Sequence, residues 1–412
     1  MHLLWWSRLY PRHLHCRSLY GSRQNWKCRY PFALIYVHFP FCKSLCSYCN
    51  YFSVTACENI QDVVTAIHQE WLLERDAWAP LLFNKHSNKH HTLYIGGGTP
   101  SLCPQQDLQP LVTSLIQDSI VYSGNAPIEC TLEANPGDLS PSSCRALLDM
   151  GINRLSIGIQ SFFDQHLQAM ERRHTAAEGK ETIHTAREAG FTNISIDLLF
   201  GFPGLTQHQW QETLLQAVES KPDHIAAYQL SLEPDTPWGE SQTLPPQETC
   251  LQQYATLQEI LTNHGYLQYE VSAFCLPGKK ALHNSAYWQR IPYIGLGPAA
   301  HSFNGKDRYE NVADINRYIM GIRKKSPYRT YDRLLPYNVH NEWILLQLRT
   351  TTGFSLKQLL EREGQEAVTG FLERITPLQK QGLLIKEYDR VYIPAHALFL
   401  SDYIIRECLL PS

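Results

Sequence analysis

The stretch that decides the reading is residues 34–52: Leu34-Ile-Tyr36-Val-His38-Phe-Pro-Phe-Cys42-Lys-Ser-Leu-Cys46-Ser-Tyr48-Cys49-Asn-Tyr51-Phe52. An apolar, strand-like run leads directly into three cysteines spaced C-x3-C-x2-C. Thiolates are soft ligands and suit iron–sulfur clusters or zinc. A four-iron cluster commonly takes four thiolates. Three local ones leave one iron without a protein ligand, and that iron is open to a small molecule. The competing reading is a zinc knot. Structural zinc wants four ligands, and His38 or Cys57 lies close enough in sequence to supply the fourth. Spacing alone leaves both readings open.

The chain has 412 residues, 43% of them hydrophobic and 18% charged, which reads as a soluble globular protein of two domains. A net charge of −3 gives no electrostatic case for broad nucleic-acid binding. The other nine of the 12 cysteines are scattered, unlike a secreted disulfide framework. No apolar run reaches the roughly 18 residues of a membrane span, although peripheral membrane association stays open. The first thirty residues differ from the rest. They carry Arg8, Arg12, Arg17, Arg23, Lys27 and Arg29 among Leu and Trp, and no acid occurs before Glu58. That composition predicts a mitochondrial transit peptide over 1–30.

Six apolar runs follow at helix-sized intervals: 34–39, 92–95, 128–132, 154–157, 194–200 and 224–230. Amphipathic stretches separate them at 59–77, 105–120, 140–150, 175–189 and 206–220. Strands alternating with helices predict βα units and a parallel sheet. Ser140-Pro141 and Thr206 are helix-start signals; Gly151 and Gly190 are stop signals. Six units are too few for a closed eight-stranded barrel and predict an open, partial (β/α)6 barrel. Ligands then belong at the carboxyl ends of the strands. The unusual residues fall there. The cysteine loop follows the first strand and Gly96–Pro100 the second. Glu133-Ala-Asn-Pro136 follows the third and Gln160-Ser161 the fourth. Asp197 and Gly201-Phe-Pro-Gly204 belong to the fifth, and Tyr228-Gln229 ends the sixth. Beyond a helix at 247–264 and a strand at 268–274, an Arg-, Tyr- and Pro-rich linker is expected over 303–337. Three helices and a hairpin are expected over 338–412, a mainly helical, winged-helix-like module. The expected units are 31–310 for the barrel with its extension and 311–412 for the C-terminal domain.

Taken together, Tyr36-Val-His-Phe-Pro-Phe-Cys42-x3-Cys46-x2-Cys49, the Gly96–Pro100 run, Glu133-Ala-Asn-Pro, Gly158-Ile-Gln160-Ser-Phe and Asp197-Leu-Leu-Phe-Gly-Phe-Pro-Gly resemble the oxygen-independent coproporphyrinogen oxidase-like branch of radical S-adenosylmethionine (SAM) proteins. The resemblance runs from residue 31 to the end. The true oxidases carry a fourth cysteine two residues after the third; here that position is Tyr51. They also have a longer N-terminal segment. His283-Asn284-x-x-Tyr287-Trp288 is similar to a motif of the HemW-type haem chaperone family, including its mitochondrial animal members.

That resemblance implies a radical SAM fold, a [4Fe–4S] cluster, SAM and haem. It implies delivery of haem to acceptor proteins in the mitochondrion, without coproporphyrinogen oxidase activity. The rival readings are a radical enzyme oxidising a porphyrinogen, and a zinc protein. By position the resemblance makes Cys42, Cys46 and Cys49 the cluster ligands. It places Tyr36, Tyr48, Gly98, Thr99, Glu133, Gln160, Arg172 and Asp197 at SAM, with Arg173 adjacent to Arg172. His283 is the candidate haem ligand, oriented by Asn284 and Tyr287, with His301 behind it. Each has a plainer reading as a turn glycine, a strand-end polar residue or one of 18 histidines. For Glu133 and Asp197, beside apolar strands, an idle buried carboxylate would be costly.

Overall fold

The computed structural model describes residues 32–82 and 90–411. The segment 1–30, expected to be a transit peptide, lies outside the described residues.

Six strands form in the expected order: β1 (Phe32–Phe39), β2 (His90–Gly97), β3 (Glu129–Ala134), β4 (Arg154–Gln160), β5 (Ile194–Phe200) and β6 (His224–Gln229). They pair in parallel, each with the next in sequence. Helices Ile60–Leu82, Gln105–Ser123, Pro141–Asp149, Ala176–Ala189 and Gln207–Glu219 fill the crossovers. Their starts are fixed locally. Ser140, Thr175 and Thr206 each accept the N–H three residues on, and Ser143, Glu178 and Gln209 return the bond. Residues 155, 157 and 159 of β4 and 194, 196 and 198 of β5 are fully buried against the helices. The alternate residues of each strand face the interior of the barrel, and these are largely polar.

The sheet is larger than expected. A seventh parallel strand, formed from Tyr293–Leu296, joins the free edge of β1, with Leu34 opposite Tyr293 and Val37 opposite Leu296. On the far side of β6 the expected strand 268–274 is a hairpin, β7 (Leu267–Gln268) and β8 (Ala273–Cys275), with β8 antiparallel to β6. With β9 as Tyr293–Leu296, an antiparallel meander then extends the sheet: β10 (His301–Phe303), β11 (Asp307–Asn311) and β12 (Arg329–Arg333). The region expected as a linker over 303–337 is therefore sheet plus the helix Ile315–Lys324. Its arginine and tyrosine content goes into one buried network. Glu70, on the helix Ile60–Leu82, accepts from Gly297 N, Asn311 Nδ2, Tyr318 Oη at 2.6 Å and Arg329 Nη2 at 2.7 Å. Arg329 also bonds Glu74.

The C-terminal part forms helices Pro336–Leu348, Leu356–Glu363 and Gln365–Lys380 and the hairpin Ile385–Glu387 with Arg390–Tyr392. The short strand Phe354–Ser355 completes a three-stranded sheet, and a further helix follows at Ser401–Cys408. Backbone bonds tie this part to the turn between β7 and β8: Val271 N to Arg349 O and Thr351 N to Tyr269 O, both 3.1 Å. One apolar core runs through both parts. No helix among the described residues is long and apolar enough to cross a membrane.

Candidate functional site at the barrel mouth

The cysteine loop leaves β1 at its carboxyl end and is held by its own backbone. Val54 N donates to Pro40 O at 2.7 Å and Cys42 N to Val54 O at 3.0 Å, closing the loop at its base. Phe41 is fully buried and packs edge-on to Phe39. The glycine run abuts the loop. Gly98 N donates to Phe39 O and Thr99 N to Phe41 O, both at 2.7 Å. A Cβ at Gly98 would stand 2.6 Å from Phe41 O. Glycine at this position is thus required by the approach of the cysteine-loop backbone.

Cys42, Cys46 and Cys49 are all partly exposed on this loop. Thr99 Oγ1 donates to Cys42 Sγ at 3.5 Å and Arg172 Nη1 to Cys46 Sγ at 3.3 Å. Burial raises the Cys42 thiol above its ordinary range and pushes Cys49 up to about 12. The described residues contain no ready-made cluster of three or more metal-ligating His, Cys, Asp or Glu side chains. The zinc reading needed a fourth ligand nearby, and both candidates are engaged. His38 bonds Tyr36 Oη through Nδ1 at 3.1 Å and Phe52 O through Nε2 at 2.8 Å. Burial lowers its pKa to about 4. Cys57 Sγ reaches the Cys42 and Thr55 carbonyls.

Carboxylates and one arginine surround the loop. Glu133 accepts from Tyr94 Oη at 2.7 Å and Gly97 N at 3.0 Å, and burial raises its pKa. Asp197 accepts from Ser156 Oγ at 3.4 Å; burial, then the nearby Glu133 charge, raise it to about 7. Gln160 follows a bulge in β4 and has φ +64°. That left-handed turn redirects the chain at the mouth. Arg172 points into the mouth. Besides Cys46 it bonds Asn135 Oδ1 at 2.5 Å and Gly158 O at 2.6 Å. Its Nε is buried without a partner among the described residues. Arg173 turns to the surface and pairs with Asp138. Tyr48 lies against Trp238, whose backbone N–H donates to Ser47 O at 2.9 Å. Trp238 follows β6, so this contact ties the loop after β6 back to the loop after β1.

His283 lies elsewhere. It is 1% exposed beside the amino ends of β2 and β3, with Nδ1 bonded to Thr92 Oγ1 at 2.8 Å and Nε2 to Tyr287 Oη at 2.9 Å. Burial lowers its pKa to about 3. Both ring nitrogens are engaged, so an iron would have to displace one of these hydroxyls. The orienting partner is Tyr287, as expected for that motif; Asn284 makes no such bond. His301 is on β10, with Nε2 3.8 Å from Glu310.

Sequence reasoning missed Asn135, which links Arg172 to Thr99 Oγ1 at 3.0 Å. Its place in Glu133-Ala-Asn-Pro was the available signal. It also missed Arg154, 1% exposed inside the barrel. A charged residue opening an apolar strand was the clue.

The radical SAM superfamily model matches residues 36–217, which hold every mouth residue named above except Trp238. The haem chaperone HemW of Bacillus subtilis is 31% identical over 90% of this chain and 97% of its own length. The chain belongs to the HemW-type family of radical SAM proteins. A second relative, the bovine mitochondrial radical S-adenosyl methionine domain-containing protein 1, is 30% identical over 92% of this chain and 87% of its own. Among solved structures, the Escherichia coli coproporphyrinogen III oxidase HemN superposes with a TM-score of 0.77 at 22% identity, covering 92% of this chain and 90% of the other. The HemW-type chain thus shares a radical SAM architecture with HemN well beyond the six βα units, through the C-terminal part.

Proposed function

We propose that this protein is a mitochondrial haem chaperone: it holds a [4Fe–4S] cluster and SAM at the barrel mouth, binds haem and passes it to acceptor proteins. The observation that carries the reading is a loop with three local cysteines and Tyr51 at the fourth position, in a chain about 30% identical to haem chaperones over most of its length. The donor set fits the cluster. Three thiols are accessible on one loop, and His38 and Cys57 are turned away from making a closed four-ligand site. When bound, such a cluster supplies one-electron chemistry to SAM at its open iron. The chain's own residues position the ligand. Glu133 and Asp197 accept from amine or hydroxyl groups, and Arg172, whose Nη atoms hold Cys46, Asn135 and Gly158, has its Nε left for a ligand acceptor. The mitochondrial assignment is supported by the basic, acid-free N-terminal segment and by the name of the bovine relative.

Tyr94, Arg154, His224, Tyr269 and His283 are all at most 9% exposed and hydrogen-bonded to neighbouring side chains, so bulky groups fill the floor. The test is anaerobic reconstitution with iron and sulfide, then haem titration followed by absorption. SAM, dithionite and coproporphyrinogen III are supplied in a separate assay. A Soret band without protoporphyrinogen IX supports the chaperone. Turnover of coproporphyrinogen overturns it in favour of the oxidase reading. Purified protein that takes up zinc and no iron removes both.

A further inference from the structure

Arg154 is a buried cation without a contact ion pair. It opens β4, and its side chain shares the interior face with Ser156, while Leu155 and Ile157 face the helices and are fully buried. Among the described residues Nη1 donates to Thr131 Oγ1 at 3.5 Å, and Nε has no partner. No carboxylate among the described residues lies within 4 Å of it. Leaving such a charge uncompensated in a protein interior is costly. Compensation must come from charges beyond contact range, which interact strongly where the dielectric is low.

The strand register shows which charges those are. Thr131 is opposite Arg154 and Glu133 is opposite Ser156, so Glu133 is one interior layer nearer the mouth. Ser156 in turn donates to Asp197. An arginine side chain spans one such layer. We propose that Arg154 is a positioning residue, a fixed cation in the barrel floor that offsets part of the burial cost of charging Glu133 and Asp197, so that they can receive the ammonium group of the ligand taken at the mouth. The inference rests on the placement of SAM proposed above.

Hydrogen bonds from Tyr94 Oη and Gly97 N to Glu133, and from Ser156 Oγ to Asp197, also favour the carboxylates, but none of these donors carries a charge. Tyr36 and Tyr94 flank Glu133, and Tyr94, Tyr228 and Tyr48 flank Asp197; all are neutral phenols whose pKa burial raises. Glu270, near Tyr228, is itself raised to about 7 by burial. The floor histidines His224 and His283 are held neutral by burial. Arg172 is committed to Cys46, Asn135 and Gly158. Among the influences on Asp197, Arg154 is the first that favours the carboxylate.

The test compares the cluster-loaded protein with Arg154→Met and Arg154→Lys. Infrared spectra of the protonated carboxyl stretch, recorded without SAM across a pH series, read the titration directly; Asp197→Asn and Glu133→Gln assign the bands. Equilibrium dialysis of labelled SAM over the same series reads affinity. With Arg154→Met the carboxyl titration is expected to rise by about one pH unit or more, and SAM affinity at neutral pH to fall about tenfold. Arg154→Lys, which keeps the charge with a different reach, is expected to fall between. Should the Met variant not fold, the Lys variant carries the test. An unchanged titration in a folded variant overturns the role of Arg154. A shifted titration with unchanged SAM affinity sustains it and overturns the placement of SAM beside these carboxylates.

Discussion

At Gly98 a single methyl group decides whether the cysteine loop can close, because Phe41 O stands 2.6 Å from where a Cβ would be. Backbone cannot yield as a flexible side chain can. Gly98→Ala is expected to give folded protein that retains less than half the wild-type iron after reconstitution; iron equal to wild type would show that the loop tolerates the displacement. The three cysteines act on a different quantity. Replacing Cys42, Cys46 and Cys49 with Ala should abolish the cluster absorption while leaving the far-ultraviolet dichroism unchanged, since the loop's closing bonds are backbone bonds to Pro40 and Val54. Full iron content in that variant would remove the metal-site assignment.

His283 gives a further residue-scale expectation. Its folded pKa of about 3 lies below the ordinary 6.5, so the unfolded chain takes up the proton first as pH falls. Its contribution to stability is present above about pH 6.5 and is lost between there and about pH 3, with a slope of up to about 1.4 kcal/mol per pH unit. His283→Gln should therefore show a shallower acid limb in denaturant midpoints over that range. The same variant should keep the haem Soret band, because both nitrogens serve Thr92 and Tyr287. Loss of the band from folded protein would support His283 as the haem ligand.

Among the elements, the meander β10–β12 shows how a segment with linker-like composition becomes ordered. Its short strands lack the length and periodicity that mark β1–β6. They are fixed by pairing back onto β9 and by the buried Glu70, whose pKa burial raises despite the opposing Arg329 charge. Removing one partner of such a network strands the other. Glu70→Ala is expected to cost about 3–5 kcal/mol in unfolding free energy. Glu70→Met with Arg329→Met should recover much of that loss. Equal loss in single and double variants, measured by urea unfolding, would show that the charges are not coupled. Because Gly297 N donates to Glu70 and Gly297 packs under His38 O, the network also braces the end of β1.

Across the whole molecule, the parallel core was legible. Six apolar runs, helix-length spacers and three capping boxes are local signals, and each element formed where local chemistry placed it. The ring of mouth residues was legible for the same reason: in a parallel sheet every strand points its carboxyl end to one side, so motifs after strands must meet. The seventh parallel strand, Tyr293–Leu296, was not legible as β1's partner. It is four residues long and lies far along the chain from Phe32, and nothing local encodes a pairing across that separation. Nor does local pattern say whether a histidine has a free nitrogen. His283 reads as a ligand in sequence and is committed to two hydroxyls in the fold.

The sequence by itself determined that the cysteine loop offers soft ligands, the βα order and the end of the barrel where the mouth residues gather, because spacing, periodicity and strand direction are properties of the chain. Only the tertiary structure decided that Arg172 and not Arg173 enters the mouth, that Gly98 serves the loop backbone and that Arg154 stands alone among buried carboxylates. Those outcomes depend on which side chains meet across strands and loops distant in the chain, and on how much water is left between them.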